Sequence, residues 1–340
     1  MTPSIRRTAT LADVARLARV STATVSRALS LPHKVKPLTL ARIEQAVQSL
    51  GYVAHGAARA LASRRTHTVG AVIPTLANAI FANTTQALQK TLDGAGYTLL
   101  LASHEFDPVV EARVTRALLA RGIDGLVLLG TTHDASVFRM IEARQVPYVL
   151  TWALDTSGTH PCIGFDNRAA AVRLANHLLD LGHREFAMIS GITANNERAR
   201  DRLGGVRTAI AARGARLPAE RIVEKPFTHA AGREGLREVM AGASPPTAVI
   251  CGNDVLAIGA MAECGARGLT VPRDMSITGF DDMEIASLMT PGLTTVHFPT
   301  TELGVYAASH LLDRLAGKRV EMHRELPVEL MVRGTTAPPP

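Results

Sequence analysis

The sequence predicts two architectures in one chain: a small all-α N-terminal module, then a two-lobed α/β body built on parallel sheets. Three observations carry this. Charge is unevenly placed: residues 1–66 hold eleven Lys and Arg against Asp13 and Glu44, a net +9, while the remaining 274 residues hold twenty-six against twenty-eight, a net −2. Apolar residues recur at helical spacing in the first fifty positions, and from about Thr68 short continuous apolar runs take over. Those runs alternate with amphipathic segments in two successive series, as expected of strand–helix units whose parallel sheets are covered on both faces.

In the basic segment, Thr10 is placed to cap a first helix, with Asp13 completing a capping box, and Leu11, Val14, Ala15 and Ala18 share one apolar face. After a break at Arg19-Val20, Ser21 is a good N-cap for a second short helix burying Val25, Ala28 and Leu29. Pro32 ends it. Pro37 fits the first turn of a third helix, whose Leu40, Ile43, Val47 and Leu50 line one face until Gly51 stops it. Three short helices with a tight turn between the first two describe a helix-turn-helix. The second helix of such a module enters the DNA major groove, where small side chains allow close approach and hydroxyls meet phosphates or bases. Its stretch "VSTATVSRALS" has that texture: Ser21, Thr22, Ala23, Thr24 and Ser26 are small, and Arg27 is the single charge.

Residues 55–67, "HGAARALASRRTH", are Ala-rich but contain Gly56, a marginal helix that needs a partner to form. Beyond them "TVGAVIP", "YTLLLAS", "DGLVLLG", "PYVLTW" and "CIGF" read as buried strands, with helices such as Thr84–Asp93 and Glu111–Ala120 between. The order repeats through "FAMISG", a helix over Arg202–Arg213, "TAVICG", a helix around Leu256–Cys264, and "MSITGF". Two such series imply two similar subdomains with a ligand cleft between them. The expected layout is residues 1–54 as the DNA-binding module, 55–67 as hinge helix and 68–340 as body. Within the body, lobe one spans about 68–165 and 298–325, and lobe two about 166–297.

No run of about 18 apolar residues occurs, so no membrane span is expected. Arg6 and Arg7 are not followed by the apolar run of a secretion signal. Cys162, Cys251 and Cys264 fit no metal-ligand spacing and read as core thiols of a reducing compartment, which points to the cytoplasm. No cofactor is expected. An enzyme is one alternative, yet the chain has no G-x-G-x-x-G, P-loop or H-E-x-x-H, and Gly94-Ala95-Gly96 precedes a strand. A sugar-binding protein without a DNA role is the other, and the basic helical module argues against it.

At this point the chain resembles the Lac-repressor-type (LacI/GalR) family of bacterial transcription regulators over nearly its whole length. The resemblance is carried by "TLADVARLARVSTATVSRALS", "GYVAHGAARALASRRTHTVGAVIP", "IGFDN", "LGHREFAMISG", "CGNDVLAIGAM", "VPRDMSITGFDD" and "PGLTTV" in matching order. "PTLANAIFA" and "IGFDN" are most similar to the gluconate-repressor branch. The resemblance implies a periplasmic-binding-protein-like body and a repressor that, as a homodimer, binds a double-stranded operator under control of a sugar or sugar-acid effector. It places Thr22, Ala23 and Arg27 at base-reading positions. Arg59 joins the DNA contacts, and Leu61 is the hinge leucine that wedges into the minor groove. It places Phe165, Arg202, Asn253 and Asp281 at the effector, with Asn78, Phe81 and Asp166 as further candidates. Other roles stay open at these positions: Arg202 could pair with Asp201 or Glu197, Asp281 could cap a turn, and Phe165 could be core. Three departures from the family pattern stand out: Arg19 where a turn glycine is usual, Lys36 in place of a hydroxyl cap, and Ala54-His55 before the hinge. The C-terminal "RGTTAPPP" has no heptad repeat, so a dimer is expected rather than a tetramer.

Overall fold

The computed structural model describes residues 8–53, 65–242 and 245–340. They form two compact units, Met1–His67 and Thr68–Pro340. Arg59, Leu61 and most of the expected hinge helix lie outside the described residues.

In the first unit, helix α1 (Leu11–Ala18) begins with the expected capping box. Asp13 accepts the Thr10 backbone N–H at 2.9 Å, and the Thr10 hydroxyl accepts that of Asp13 at 3.3 Å. Arg19 closes the helix in the left-handed conformation (φ 54°), and the Ser21 side chain then caps α2 (Thr22–Ser30). Helix α3 (Pro37–Leu50) starts behind Lys36 without a side-chain cap and ends at Gly51, also left-handed (φ 58°). Val14, Ala15, Ala18, Val25, Ala28, Ile43 and Ala46 form the small core. Leu50, expected on the buried face of α3, is exposed in its last turn.

Among the described residues the second unit contains three sheets. Strands β1 (Thr68–Ile73), β2 (Thr98–Ser103), β3 (Gly125–Leu129), β4 (Tyr148–Thr151), β5 (Cys162–Gly164) and β11 (His323–Glu325) form the first, in the order β2-β1-β3-β4-β5-β11 and parallel throughout. The second is parallel in the order β7-β6-β8-β9, from β6 (Phe186–Gly191), β7 (Ile222–Lys225), β8 (Ala248–Cys251) and β9 (Ser276–Thr278). An antiparallel pair joins β10 (Thr295–His297) to β12 (Glu329–Met331). Parallel strands need helical crossovers, which cover the faces and leave every residue of β3, β6 and β8 buried.

The crossover helices of lobe one are α4 (Ile80–Gly94), α5 (Pro108–Ala120) and α6 (Ala135–Arg144), and those of lobe two are α7 (Asn167–Asp180), α8 (Glu197–Ala212), α9 (His229–Val239) and α10 (Asp254–Ala266). The short α11 (Glu284–Leu288) follows, and α12 (Thr300–Leu315) returns to lobe one, where the Thr84 hydroxyl of α4 donates to Thr300 O at 2.9 Å. The second series contains one unit more than expected. β7 carries only two apolar residues, and the buried face of α9, though helically spaced, is made largely of small residues: Ala231, Gly232 and Gly235 beside Leu236 and Val239. The chain end returns to lobe two, where Ile277 N donates to Thr335 O at 3.0 Å and His183 Nε2 lies 2.9 Å from Ala337 O. All three cysteines are buried and unpaired, and no helix among the described residues is long and apolar enough to cross a membrane.

Candidate functional site

In the first unit, α2 divides cleanly. Val25 and Ala28 face the core, while Thr22, Ala23, Ser26 and Arg27 are exposed. Ser21 and Thr24 are engaged with each other: the Ser21 hydroxyl accepts the Thr24 N–H at 3.2 Å and lies 2.9 Å from the Thr24 hydroxyl. Their hydroxyls therefore start the helix, and the outward strip is Thr22, Ala23, Ser26 and Arg27.

In the second unit, a narrow cleft of about 30 Å³ takes lining from both lobes. Its position follows from the sheet orders: in each sheet the first strand of the series pairs with the second on one side and the third on the other, and ligand crevices form beyond the carboxyl ends of strands at such a reversal. Asn78 and Phe81 follow β1, Phe106 follows β2 and Trp152 follows β4. From lobe two, Ser190 is the penultimate residue of β6, Phe227 follows β7, Gly252 follows β8, Asp281 follows β9, and α8 contributes Arg198 and Arg202.

Arg202 is the centre of the polar floor. Its Nε donates to Asn167 Oδ1 at 2.9 Å, its Nη1 donates to Gly252 O at 2.9 Å, and Nη1 lies 3.4 Å from Asp281 Oδ1. The guanidinium carbon stands 3.7 Å above the centroid of the Phe280 ring, a cation–π contact. Arg202 thus pairs with neither Asp201 nor Glu197. Burial pushes its pKa down to about 10, and burial lifts Asp281 to about 7 against the pull of Arg202, with the charge of Asp254 adding to the rise. Asp254, lifted by burial to about 6, accepts hydrogen bonds from the Thr295 hydroxyl and the Met283 N–H.

Around this floor Phe81 meets Trp152 edge to face at 5.0 Å, and Phe106 and Phe227, one from each lobe, have ring centroids 6.4 Å apart. Ser190 is buried with no partner for its hydroxyl among the described residues. Backbone strain collects here too: Phe106 (φ 60°), Trp152 (φ 72°) and Asp281 (φ 120°) all line the cleft at positive φ, a conformation that costs about 1–3 kcal/mol per non-glycine residue. Apolar ring faces with a few converging polar groups match the surface chemistry of a small polyhydroxylated molecule.

Three expected effector residues sit elsewhere. Phe165 is fully buried, stacked on Phe298 at 4.3 Å and on Phe280 at 6.3 Å, because its position beside β5 faces the core rather than the crevice. Asp166 is exposed and caps α7 by accepting Ala169 N–H at 2.9 Å. Asn253 caps α10, accepting Leu256 N–H at 2.9 Å, and does not line the cleft. Arg198, Trp152, Phe106, Phe227 and Ser190 went unrecognised from sequence. The usable signal was position, since each follows a strand, lies near its end or opens the helix after one.

Comparison with known proteins places both units. Residues 10–55 match the model of bacterial regulatory proteins of the lacI family, and residues 175–336 match that of the periplasmic binding protein-like domain. The ribose operon repressor of Escherichia coli is 33% identical over 96% of this chain and 99% of its own length. The HTH-type transcriptional regulator GntR of Pseudomonas aeruginosa is 35% identical over 96% of this chain and 95% of its own. The crystal structure of the Lac repressor dimer bound to operator and the anti-inducer ONPF superposes with a TM-score of 0.84 at 27% identity, covering 97% of this chain and 100% of that one.

Proposed function

Since the chain belongs to the lacI family of bacterial regulatory proteins, we propose that it is a non-enzymatic repressor whose operator affinity is set by a sugar or sugar acid bound in the cleft. It is a DNA-binding transcriptional regulator by family. In the proposed mechanism two chains pair and present two basic modules to a near-palindromic operator. On each module Thr22, Ala23, Ser26 and Arg27 face the DNA, and Arg59 and Leu61 contribute from the hinge. An apolar wedge between base steps costs a few kcal/mol in unstacking, offset by the contacts a bent site allows.

The observation that carries the effector reading is the Arg202–Asp281 pair on the floor of an aromatic-walled cleft shared by the two lobes. Guanidinium donors beside a carboxylate acceptor suit vicinal hydroxyls, which donate and accept together. Arg198 lines the same cleft and spends Nη1 on Glu197 at 2.9 Å, so a carboxylate-bearing sugar meets a second guanidinium there. A ligand bridging both lobes changes their mutual angle, and that change alters operator affinity.

The test is a titration of fluorescent promoter fragments with the full chain, repeated across a panel of sugars and sugar acids that first raise its Tm. A ligand that shifts the operator Kd, and fails to do so with Asp281→Ala, is the expected result. A stabilising ligand that leaves the operator Kd unmoved overturns the coupling, and turnover of that ligand overturns the non-enzymatic reading.

A further inference from the structure

A cluster of charge lies on lobe two among residues that do not line the cleft. Helices α9 and α10 cross closely: a Cβ on Gly232 would stand 2.3 Å from Leu256 O, and one on Gly259 would stand 2.1 Å from His229 O. One turn beyond Gly259, the Glu263 side chain is 6% exposed at this crossing. Its oxygens accept from Arg233 Nε at 3.1 Å, from Arg237 Nε and Nη2 at 2.8 Å each, and from Arg267 Nε at 3.2 Å. Four N–H donors use the whole acceptor capacity of a carboxylate. The Arg237 bonds, and then those of Arg267 and Arg233, hold the Glu263 pKa down at about 2.

Three guanidiniums around one carboxylate leave an excess of two positive charges. Of the nearby acids, Glu234 and Glu238 share Lys225 at 3.4 and 2.6 Å, Asp274 pairs with Arg273, and only the charge of Glu234 also reaches Arg237. A purely structural ion pair would be complete with Arg237, which already meets both Glu263 oxygens. Arg233 and Arg267 add repulsion without a second carboxylate bonded to either among the described residues. Both bond inward through Nε and are 43% and 38% exposed, with no acceptor for their terminal nitrogens among the described residues. Planar forks held this way match a tetrahedral oxyanion in a manner that lysines do not.

We propose that Arg233, Arg237 and Arg267, anchored on Glu263, form a second ligand site that binds the phosphate monoester of a small metabolite. The site does not depend on the effector reading of the cleft. The test is calorimetric titration of the full chain with inorganic phosphate and with glycerol 3-phosphate, glycerol as control, at matched ionic strength. Saturable binding of both phosphates is expected, at least tenfold weaker in Arg233→Gln/Arg267→Gln and unchanged in Arg27→Ala, which checks the basic N-terminal unit. The pair Arg233→Lys/Arg267→Lys keeps the charge but loses the forks, and is expected to bind at least threefold more weakly. Absent saturation, equal affinity in the Gln pair, equal affinity in the Lys pair, or loss in Arg27→Ala each overturns the site. A phosphoserine peptide binding more than tenfold tighter than glycerol 3-phosphate overturns the small-metabolite assignment.

Discussion

Asp281 combines burial, a positive φ and a guanidinium neighbour, and each has a consequence that pH exposes. Its pKa of about 7 lies above the 3.8 of an ordinary aspartate, as does the value of about 6 for Asp254. The folded protein therefore keeps protons that the unfolded chain has lost between about pH 4 and 7, so these two groups oppose stability increasingly as pH rises through that window. A sugar hydroxyl donates more strongly to the Asp281 carboxylate than to the protonated acid, so effector affinity should fall as pH drops from 8 to 6. Asp281→Asn should bind more weakly at pH 8 and lose most of this dependence; calorimetry at the two pH values checks it, and an equally steep profile in the variant would remove Asp281 from contact. Arg19, at φ 54°, stands where glycine costs least. Arg19→Gly should raise the stability of the three-helix unit by about 0.5–1 kcal/mol, read from denaturant unfolding of that unit. Arg202 and Asp281 were legible in the sequence because a motif marks them. Trp152, Phe106 and Phe227 were not, since a lone aromatic after a strand looks the same whether it faces core or crevice.

At the scale of elements, legibility followed hydrophobic period. The capping box of α1, the proline and glycine bounds of α3 and the apolar runs of β1, β3, β6 and β8 each bury a face that the sequence displays. Helix α8 begins at Glu197, five residues ahead of the expected Arg202, because its first turn is polar and still buried by the cleft. Helix α9 keeps the period in its buried residues, but Ala231, Gly232 and Gly235 fill most of that face, so closeness to α10 replaces the large apolar side chains that mark a helix in sequence. That contact yields a prediction. In Gly259→Ala the new methyl would stand 2.1 Å from His229 O, and the helices must separate by about 1 Å to restore ordinary contact. A loss of about 1–3 kcal/mol is expected, the scale of overpacked cores, measured by thermal unfolding of the body. Unchanged stability would show that the crossing tolerates a wider spacing.

For the molecule as a whole, the division of charge is a division of labour. A unit of net +9 supplies a salt-dependent attraction to the DNA backbone, and a body of net −2 contributes none of that attraction on balance. Function then depends on a coupling free energy between two ligands on different units, and such coupling is reciprocal. If a cleft-bound sugar weakens operator binding by some factor, operator must weaken sugar binding by the same factor, with about 5- to 150-fold the usual range. Calorimetric titration of the sugar into free protein and into a saturated protein–operator complex, at one salt concentration, measures both arms. Equal factors are expected for the full chain. A fragment beginning at Thr68 should bind sugar with the affinity of the free protein whether or not operator is present. If operator altered sugar affinity in that fragment, the body itself would be contacting DNA, and the basic unit would not be the sole reader of the operator.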